Sequence, residues 1–479
     1  MQNETNTRLE KDMLGEKAVP ADAYYGVQTA RALDNFRITG VPLYQHADLI
    51  RALAMVKLAA ARANHECGVL PEPVLRGIEG ACFELIDGKL HEEFGIDVLQ
   101  GGAGTSTNMN ANEVIANRAL ELMGHEKGEY EHCDPHDHVN CSQSTNDAYP
   151  TALHVAIVLA NARLMEELRR LIASLHAKGV EFSDIIKMGR TQLQDAVPMT
   201  LGQEFKAWAD SLKGEVRALD RVEFALLDIN MGGTAIGTGL NAPDGYAARC
   251  AEALREITRR NFHLARDLVE ATQDTQPFVL YSSCLKSLAI KLSKICNDLR
   301  LLSSGPRAGL NEINLPAMQP GSSIMPGKVN PVIPEVVNQV CFRAIGNDLT
   351  VTLAAEAGQL QLNVMEPVIA HAILESQTMF MNAASTLRVH CIDGIQANRD
   401  VCRDFVERSI GIVTALNPIL GYEKATELAA EALRSGRGIL ELVREQGLLD
   451  EATIERVLDP RAMAGNSGLR GSGSESERS

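Results

Sequence analysis

The most constraining feature of the sequence is a set of long segments in which apolar residues recur every three or four positions. In the clearest segment the spacing alternates between three and four, at Leu285, Leu288, Leu292, Ile295, Leu299 and Leu302. This spacing places one apolar stripe along a helix, as in coiled coils and bundles. Similar patterns run through 153–175, 204–228 and 335–351, and Pro367 favours the first turn of another helix. Helices this long bury their stripes against several partners, so the sequence predicts a mostly α fold with a central bundle.

The composition agrees with closely packed helices and limits the partners. Of 479 residues, 45% are hydrophobic but only 4% are aromatic, which suits Ala- and Leu-rich helices better than a β-sandwich. The formal net charge is −16 and the sequence has no dense basic run, so we expect no nucleic-acid partner. No apolar segment is long enough to cross a bilayer, so we expect no membrane partner either.

Glycine and proline punctuation predicts three domains, because one core cannot serve a chain of this length. We place an N-terminal domain at 1–142, the helical bundle at 143–398 and a C-terminal domain at 399–479. The last residues, 468–479, are poor in apolar side chains and are expected to be disordered. The N-terminal residues are polar, unlike a signal peptide, and the ten cysteines form no C-x-x-C pair. We therefore expect a cytoplasmic protein with reduced thiols.

Short glycine-rich loops between the helices are where we expect the chemistry. No G-x-G-x-x-G motif follows a strand pattern, so the sequence gives no support to a dinucleotide site. The segment 321–328 resembles a phosphate-binding P-loop, but five residues separate its glycines where a P-loop has four. In addition, Val329 stands where a P-loop needs Ser or Thr for magnesium. His136 and His138 could ligate a metal, but such a pair in a loop is more often a surface turn. We expect neither an organic cofactor nor a bound metal.

The side chains that remain in these loops are hydroxyls, amides and one ammonium group. They are Thr105, Ser144, Thr145, Asn146, Thr191, Gln192, Ser322, Ser323, Lys328 and Asn330. Neutral donors orient carboxylate oxygens while a lysine supplies charge, so the set suits a small carboxylate. In any single loop, helix capping or turn formation would explain the same residues. Spacing alone therefore leaves both interpretations open.

The stretch GSSIMPGKVNP at 321–331 resembles the signature loop of the aspartase/fumarase superfamily. The similarity extends from AYYGVQTARALDNF near the N-terminus to SIGIVTALNP near the C-terminus. The resemblance implies a mostly helical, three-domain subunit whose central bundle joins those of three other copies in a homotetramer. It also implies a lyase that acts on a small dicarboxylate.

Four positions separate the two closest branches of the superfamily, the aspartases and the class II fumarases. Fumarases usually carry Ser at Ala103, His at Gln192 and, in an accessory carboxylate site, His at Asp134. The stretch around Glu366 also resembles aspartases. In fumarases, a glutamate that matches Glu335 pairs with the histidine that Gln192 replaces here. Because this chain lacks that histidine, we assign Glu335 no catalytic role. The resemblance implies elimination of ammonia from L-aspartate to give fumarate, with a fumarase or a non-catalytic structural relative as the alternatives.

The family roles assign a task to each candidate. Ser322 would be the base that removes the proton next to the β-carboxylate, acting as an oxyanion that N–H groups stabilise. The aci-carboxylate that forms needs well-aimed donors, a role implied for Thr105, Ser144, Thr145 and Ser323. The α-carboxylate would contact Thr191, Lys328 and Asn330. The amino group would lie near Asn146 and Gln192.

Overall fold

The computed structural model describes residues 6–459 and residue 462, so the predicted disorder of 468–479 lies outside the described residues. The predicted mostly α fold is confirmed. The helices are α1 (Val27–Asn35), α2 (Ala47–Glu66), α3 (Glu72–Ile86), α4 (Thr105–Leu122), α5 (Thr145–Glu181), α6 (Leu201–Glu223), α7 (Tyr246–Thr258), α8 (Leu268–Gln273), α9 (Gln276–Leu302), α10 (Val332–Glu356), α11 (Glu366–His390), α12 (Arg399–Arg408), α13 (Val413–Leu420), α14 (Tyr422–Ser435), α15 (Ile439–Glu445) and α16 (Glu451–Val457). None of the helices in the described part of the chain is both long and apolar enough to span a membrane.

The strands are short and pair in twos. They are β1 (Thr7–Asp12), β2 (Gly15–Pro20), β3 (Ile186–Thr191), β4 (Gln194–Thr200), β5 (Asp228–Ile229), β6 (His263–Leu264), β7 (Ile313–Asn314) and β8 (Gln396–Ala397). The pairs β1–β2, β3–β4 and β7–β8 are antiparallel, while β5–β6 is parallel.

The long helices follow the apolar periodicity of the sequence. Helices α5, α6, α9, α10 and α11 contain between 23 and 37 residues each. Helix α11 begins at Glu366, so Pro367 lies in its first turn as predicted. The prediction for 204–228 is wrong at its end, because α6 stops at Glu223. The residues that follow leave the helix since Asp228 and Ile229 pair with β6.

The chain divides into two compact units. The first unit comprises Met1–Met165, Arg217–Ala289 and Phe342–Met381. The second comprises Glu166–Val216, Ile290–Cys341 and Asn382–Ser479. The three predicted domains, with boundaries after residues 142 and 398, remain a prediction.

In the first unit, α2 lies in the interior and packs against α3 and α7. Its apolar residues are almost fully buried, from Leu49 to Ala63. Two polar side chains of the same helix, Lys57 and Asn64, are buried as well. Buried polar groups need partners, and both side chains find them in the loop that precedes α5. Asn64 donates to the carbonyl of Cys141 and accepts the hydroxyl of Ser142, and the contacts of Lys57 are described below.

In the second unit, the β3–β4 hairpin packs against the C-terminal helices. Ile186 and Met188 of β3 share one buried apolar cluster with Val406 of α12, Leu442 of α15 and Ile454 of α16. The hairpin is therefore anchored along its length, while its tip extends away from the cluster.

A buried ion cluster reinforces the base of this hairpin. The carboxylate of Glu312, which is fully buried, lies 2.9 Å from Lys187 and 2.6 Å from Arg190. Glu204 lies 2.6 Å from the same Lys187 ammonium. Burial opposes the charge of Lys187, but the two carboxylates outweigh this effect and raise its pKa. The charges therefore depend on one another.

We predict that Glu312→Gln destabilises the protein by about 3–5 kcal/mol, because Arg190 loses its buried counter-charge and Lys187 keeps only one. Chemical denaturation of the purified variant measures the loss. Asp184→Asn is the matched control, since it breaks the exposed Arg399–Asp184 ion pair and should cost at most about 1 kcal/mol. Equal stabilities of the two variants would contradict a structural role for the cluster.

Candidate active site

The first candidate loop precedes α4 and has an unusual backbone. Gly102, Ala103 and Gly104 all have positive φ, at 93°, 56° and 87°. A Cβ at Gly104 would lie only 2.7 Å from the ring of Tyr149, so the loop packs tightly on α5 at this point. Thr105 begins α4, is exposed, and donates its hydroxyl to the carbonyl of Gly102 at 2.7 Å. The loop thus places the Thr105 hydroxyl beside the first turns of α5.

The second loop ends in a capping box at the start of α5. The Oγ of Ser144 accepts the N–H of Asn146 at 3.2 Å, and Oδ1 of Asp147 accepts the N–H of Ser144 at 2.9 Å. The other oxygen of Asp147 accepts the N–H groups of Gly232 and Thr234, at 3.0 and 2.9 Å. Burial raises the pKa of Asp147 to about 6, although these N–H groups oppose the rise.

The backbone carbonyl and the side-chain amide of Asn146 each bind a partner outside α5. Pro150 has no N–H, so the carbonyl of Asn146 cannot make its usual helical bond. This carbonyl instead accepts the side-chain amide of Asn230 at 2.9 Å. The Nδ2 of Asn146 donates to the carbonyl of Ala235 at 2.8 Å. A carbonyl only accepts, so the amide nitrogen faces Ala235 and Oδ1 of Asn146 is left as an acceptor.

A buried polar layer supports the second loop from the side of α2 and α4. The Lys57 ammonium donates to Asn140 at 3.0 Å and to Gln143 at 2.9 Å. Asn108 and Asn112 of α4 donate to the same Asn140 oxygen, each at 3.1 Å. Burial lowers the pKa of Lys57 to about 7. The segment before Ser144 is therefore held by three side chains that lie far from it in sequence, those of Lys57, Asn108 and Asn112.

The third loop is the tip of the β3–β4 hairpin. Gln192 and Leu193 form its two-residue turn with φ of 56° and 61°, between the paired residues Thr191 and Gln194. Such a turn favours Asn and Gly, so Gln-Leu is an unfavourable sequence for this backbone. Thr191 and Gln192 are both exposed. The hairpin presents these two side chains at its end.

The fourth loop, 321–330, closes on itself. The N–H of Gly321 donates to the carbonyl of Lys328 at 2.7 Å, and the side-chain amide of Asn330 donates to the carbonyl of Gly321 at 2.7 Å. A Cβ at Gly321 would lie 2.6 Å from the Lys328 oxygen, so only glycine fits there. Gly327 has a φ of 81°, which also favours glycine.

Within this loop the hydroxyl oxygen of Ser322 accepts two backbone N–H groups. The N–H of Ile324 lies at 3.2 Å and that of Met325 at 3.0 Å. Ser322 and Lys328 also line an open surface cavity of about 440 Å³, together with residues 317–320. Ser323 is exposed at the same loop. Two N–H donors on one oxygen are the environment that stabilises an alkoxide.

The structure divides the predicted site residues between the two units. Thr105, Ser144, Thr145 and Asn146 belong to the first unit, where the tight contact of Gly104 with α5 brings their loops together. The second unit carries Thr191, Gln192, Ser322, Ser323, Lys328 and Asn330. Within it, no hydrogen bond between described residues joins the hairpin tip to the 321–330 loop.

Sequence reasoning missed the residues that shape these loops. Asp147, Asn230 and Lys57 are buried and contact the loop backbone or its side chains. One local signal was available for Asp147, since Ser144-Thr-Asn-Asp147 has the spacing of a capping box. The partners of Asn230 and Lys57 have no such signal in the sequence.

Two groups of histidines lie outside these loops. Nδ1 of His138 accepts the N–H of Asp134 at 2.8 Å, and Nε2 of His136 lies 2.6 Å from the Gln28 amide. In addition, His125, Glu129 and His132 bring potential ligand atoms within 4.8 Å of one another. The rings of His125 and His132 are stacked with their centroids 3.7 Å apart. Stacked rings direct their nitrogens side by side and not toward one point, so we assign no metal to this group.

Two family models match the chain. A model described as Lyase matches residues 15–346, and one described as Fumarase C C-terminus matches residues 412–465. Among solved structures, the fumarate lyase:delta crystallin from Brucella melitensis bound to cobalt is 54% identical. It has a TM-score of 0.93, with 96% of this chain and all of that chain covered. The class II fumarase from Schistosoma mansoni is 35% identical with a TM-score of 0.89, covering 96% and 99% of the two chains.

Curated relatives are similar over nearly the same length. The aspartate ammonia-lyase of Pseudomonas aeruginosa is 60% identical over 459 residues, which are 96% of this chain and 97% of the relative. The aspartate ammonia-lyase of Escherichia coli K12 is 54% identical over 453 residues, 94% and 95% of the two chains. The family models and the relatives confirm the resemblance seen in the sequence, and the chain belongs to the aspartase/fumarase superfamily of lyases.

Proposed function

We propose that the protein catalyses the reversible elimination of ammonia from L-aspartate to give fumarate, which makes it a carbon–nitrogen lyase. The observation that carries the proposal is identity of 54–60%, over at least 94% of the chain, to proteins named aspartate ammonia-lyase. The second candidate, a class II fumarase, has a weaker basis, since the fumarase from Schistosoma mansoni is 35% identical. Gln192 also lacks the titratable ring that fumarases carry at this position. A non-catalytic relative is disfavoured because every candidate side chain is present.

In the proposed mechanism, Ser322 removes the proton from the carbon next to the β-carboxylate. A serine hydroxyl normally keeps its proton at neutral pH, so the base must be stabilised as an alkoxide. The N–H groups of Ile324 and Met325 already point at this oxygen. Because they are part of the loop backbone, they need no rearrangement when the charge develops.

Loss of this proton converts the β-carboxylate into a doubly charged aci-carboxylate. We infer that Thr105, Ser144, Thr145 and Ser323 donate to its oxygens. Three of these residues lie at the start of α4 or α5, where the helix dipole favours negative charge. Each well-aimed donor to such an oxyanion lowers the barrier by about 3–4 kcal/mol.

The α-carboxylate and the amino group are recognised by different chemistry. Thr191, Lys328 and Asn330 suit the α-carboxylate, because together they offer a hydroxyl, a cation and the second N–H of an amide whose first N–H binds Gly321. Oδ1 of Asn146 is an acceptor and therefore suits the substrate ammonium group. Gln192 offers a second amide to the same group.

We also propose a homotetramer whose sites combine loops from several copies. Phe342, Leu349 and Leu353 lie on one face of α10 and are 62%, 59% and 60% exposed. Gly346 lies on the same face, and a Cβ there would meet no atom within 4 Å. An apolar face of this size on a long helix favours packing against other helices. A second copy of the chain would supply them with closed symmetry.

A cytoplasmic location is consistent with the cysteines. All ten lie among the described residues and none forms a disulfide. Most are buried, and burial raises the pKa of the Cys133 thiol to about 12, which keeps that thiol protonated at neutral pH. Reduced, buried cysteines are typical of cytoplasmic proteins.

We predict that the purified protein consumes L-aspartate and leaves L-malate essentially unchanged, because Gln192 replaces the fumarase histidine. Ultraviolet absorbance of fumarate follows both reactions in the same buffer. Comparable rates with the two substrates would reassign the protein to the fumarase branch. Absence of turnover with both would favour the non-catalytic relative.

We predict that Ser322→Ala lowers kcat by between about 100- and 10,000-fold, the contribution expected from a positioned base. Its affinity for a dicarboxylate inhibitor should stay close to that of the unmodified protein, because the carboxylate contacts remain. Lys328→Ala should instead weaken inhibitor binding as well as the rate.

Ser435→Ala is the matched control for this prediction, since Ser435 is exposed on α14 and donates only to the carbonyl of Glu431. Its kinetics should equal those of the unmodified protein. A Ser322→Ala variant that keeps a tenth or more of the activity would exclude Ser322 as the base.

We predict that two inactive variants, Thr191→Val and Ser322→Ala, restore activity when they are unfolded and refolded together. If the two loops reach a site from different copies, mixed tetramers contain some sites free of both lesions. Each variant refolded alone should stay inactive. Native mass spectrometry verifies that mixed tetramers form, and mixed tetramers without activity would show that each copy builds its site alone.

A further inference from the structure

Between β5 and α7, residues 230–239 form a glycine-rich loop that the proposed mechanism does not use. The loop has little freedom to change shape. A Cβ at Gly232, where φ is 88°, would lie 2.4 Å from the Cβ of Ala247 in α7. A Cβ at Gly237, where φ is 91°, would lie 2.4 Å from the carbonyl oxygen of Leu268 in α8. The loop is thus pressed between two helices of the first unit.

One residue of this loop has an unfavourable conformation. Thr234 is β-branched and has a φ of 54°, in the left-handed region that such residues rarely adopt. Its hydroxyl is buried and has no hydrogen-bond partner within the described part of the chain. A strained backbone persists only where its surroundings impose it. Here the N–H of Thr234 donates to the carboxylate of Asp147 at 2.9 Å.

The two oxygens of Asp147 have separate tasks. Oδ1 accepts the N–H of Ser144 and so completes the cap of α5. Oδ2 accepts from Gly232 and Thr234, which the cap does not require. A helix cap needs only one carboxylate oxygen, as at Asp450, whose Oδ1 accepts the N–H of Thr453 at the start of α16, and at Asp267, whose Oδ1 accepts both N–H groups at the start of α8. Oδ2 of Asp147 therefore holds the glycine-rich loop in place.

That position determines where the next residue of the loop lies. The carbonyl of Ala235 accepts Nδ2 of Asn146 at 2.8 Å and so decides which way the Asn146 amide faces. Asp147 follows Asn146 directly in α5, so the two side chains hold consecutive parts of one loop. If the hydrogen bond between Asp147 and Thr234 broke, the Ala235 carbonyl would move. The amide of Asn146 would then lose the acceptor that orients it.

We propose that Asp147 is a positioning residue that, through the Gly232–Ala235 segment, orients the Asn146 amide for recognition of the substrate's amino group. The inference rests on the proposed function, because it assigns the amino group of L-aspartate to Oδ1 of Asn146. Asp147 and the glycine-rich loop would thus act on the substrate through Asn146, without contacting the substrate themselves.

Asp147→Asn tests the inference, because the variant keeps the shape of the side chain and replaces one acceptor by an amide that cannot accept. We expect kcat/KM for L-aspartate to fall by at least about 10-fold, as misplacement of a contact group does. Inhibition by succinate, a dicarboxylate without an amino group, should change by less than about 3-fold. In an Asn146→Ala background, Asp147→Asn should cost little more, because both changes remove one interaction.

Asp450→Asn is the matched control for loss of a capping carboxylate and should leave both constants unchanged. If Asp147→Asn folds poorly, Thr234→Gly provides a second test of the same inference. Glycine readily adopts the φ of 54° found at this position, and its greater conformational freedom loosens the loop. This variant should show a smaller but equally selective loss for L-aspartate. Equal losses for L-aspartate and succinate, or additive effects of Asn146→Ala and Asp147→Asn, would overturn the inference. Failure of the proposed function would appear separately, as lack of turnover in the unmodified protein.

Discussion

The long helices begin at loops, and the first N–H groups of each helix have no partner inside it. An α-helix leaves four such donors at its start, together with a partial positive charge. In this chain α4 begins at Thr105, α5 begins at Thr145 and α10 begins just after the 321–330 loop. Ser144 accepts the N–H of Asn146 at the start of α5, Gln100 accepts that of Thr107 in α4, and the carbonyl of Asn330 accepts that of Val332 in α10. The helix dipole favours an anion at the same positions. Helix packing therefore determines the fold and also holds the loops at which we propose that a dicarboxylate binds.

Buried polar groups give the loops their shape. Lys57 and Asp147 are both buried. Burial lowers the pKa of Lys57 and raises that of Asp147, so it favours the neutral form of each side chain. Their hydrogen bonds reach the backbone or side chains of the loop around Ser144, so the cost of burying them is offset by contacts that exist in one conformation only. Glu312 likewise holds the β3–β4 hairpin, because it forms buried ion pairs with Lys187 and Arg190 of β3. The tip of this hairpin carries Thr191 and Gln192. In each case a buried ionisable side chain contacts a half-buried or exposed segment that carries candidate residues.

The sequence predicted the elements whose signal is local. The three-and-four spacing predicted α9, and Pro367 predicted the start of α11, because both depend on neighbours within a few residues. The end of α6 was missed because Asp228 pairs with His263, which lies in a distant strand. The capping-box spacing indicates Asp147 as a partner of Ser144, but it does not indicate the loop that the second oxygen of Asp147 binds. The loop partners of Asn146 and Asp147 lie 84 to 89 residues away, and no local pattern reports them.

By itself, the sequence determined the helical class, the positions of the candidate loops and the family, since these depend on periodicity, glycine placement and the 321–331 motif. The tertiary structure decided how the loop side chains are oriented. Only there does Pro150 free the carbonyl of Asn146 for Asn230, and only there does Ser322 receive two N–H groups on one oxygen. A hydrogen bond depends on distance and direction between atoms, and those are set by packing across the chain and not by the order of its residues.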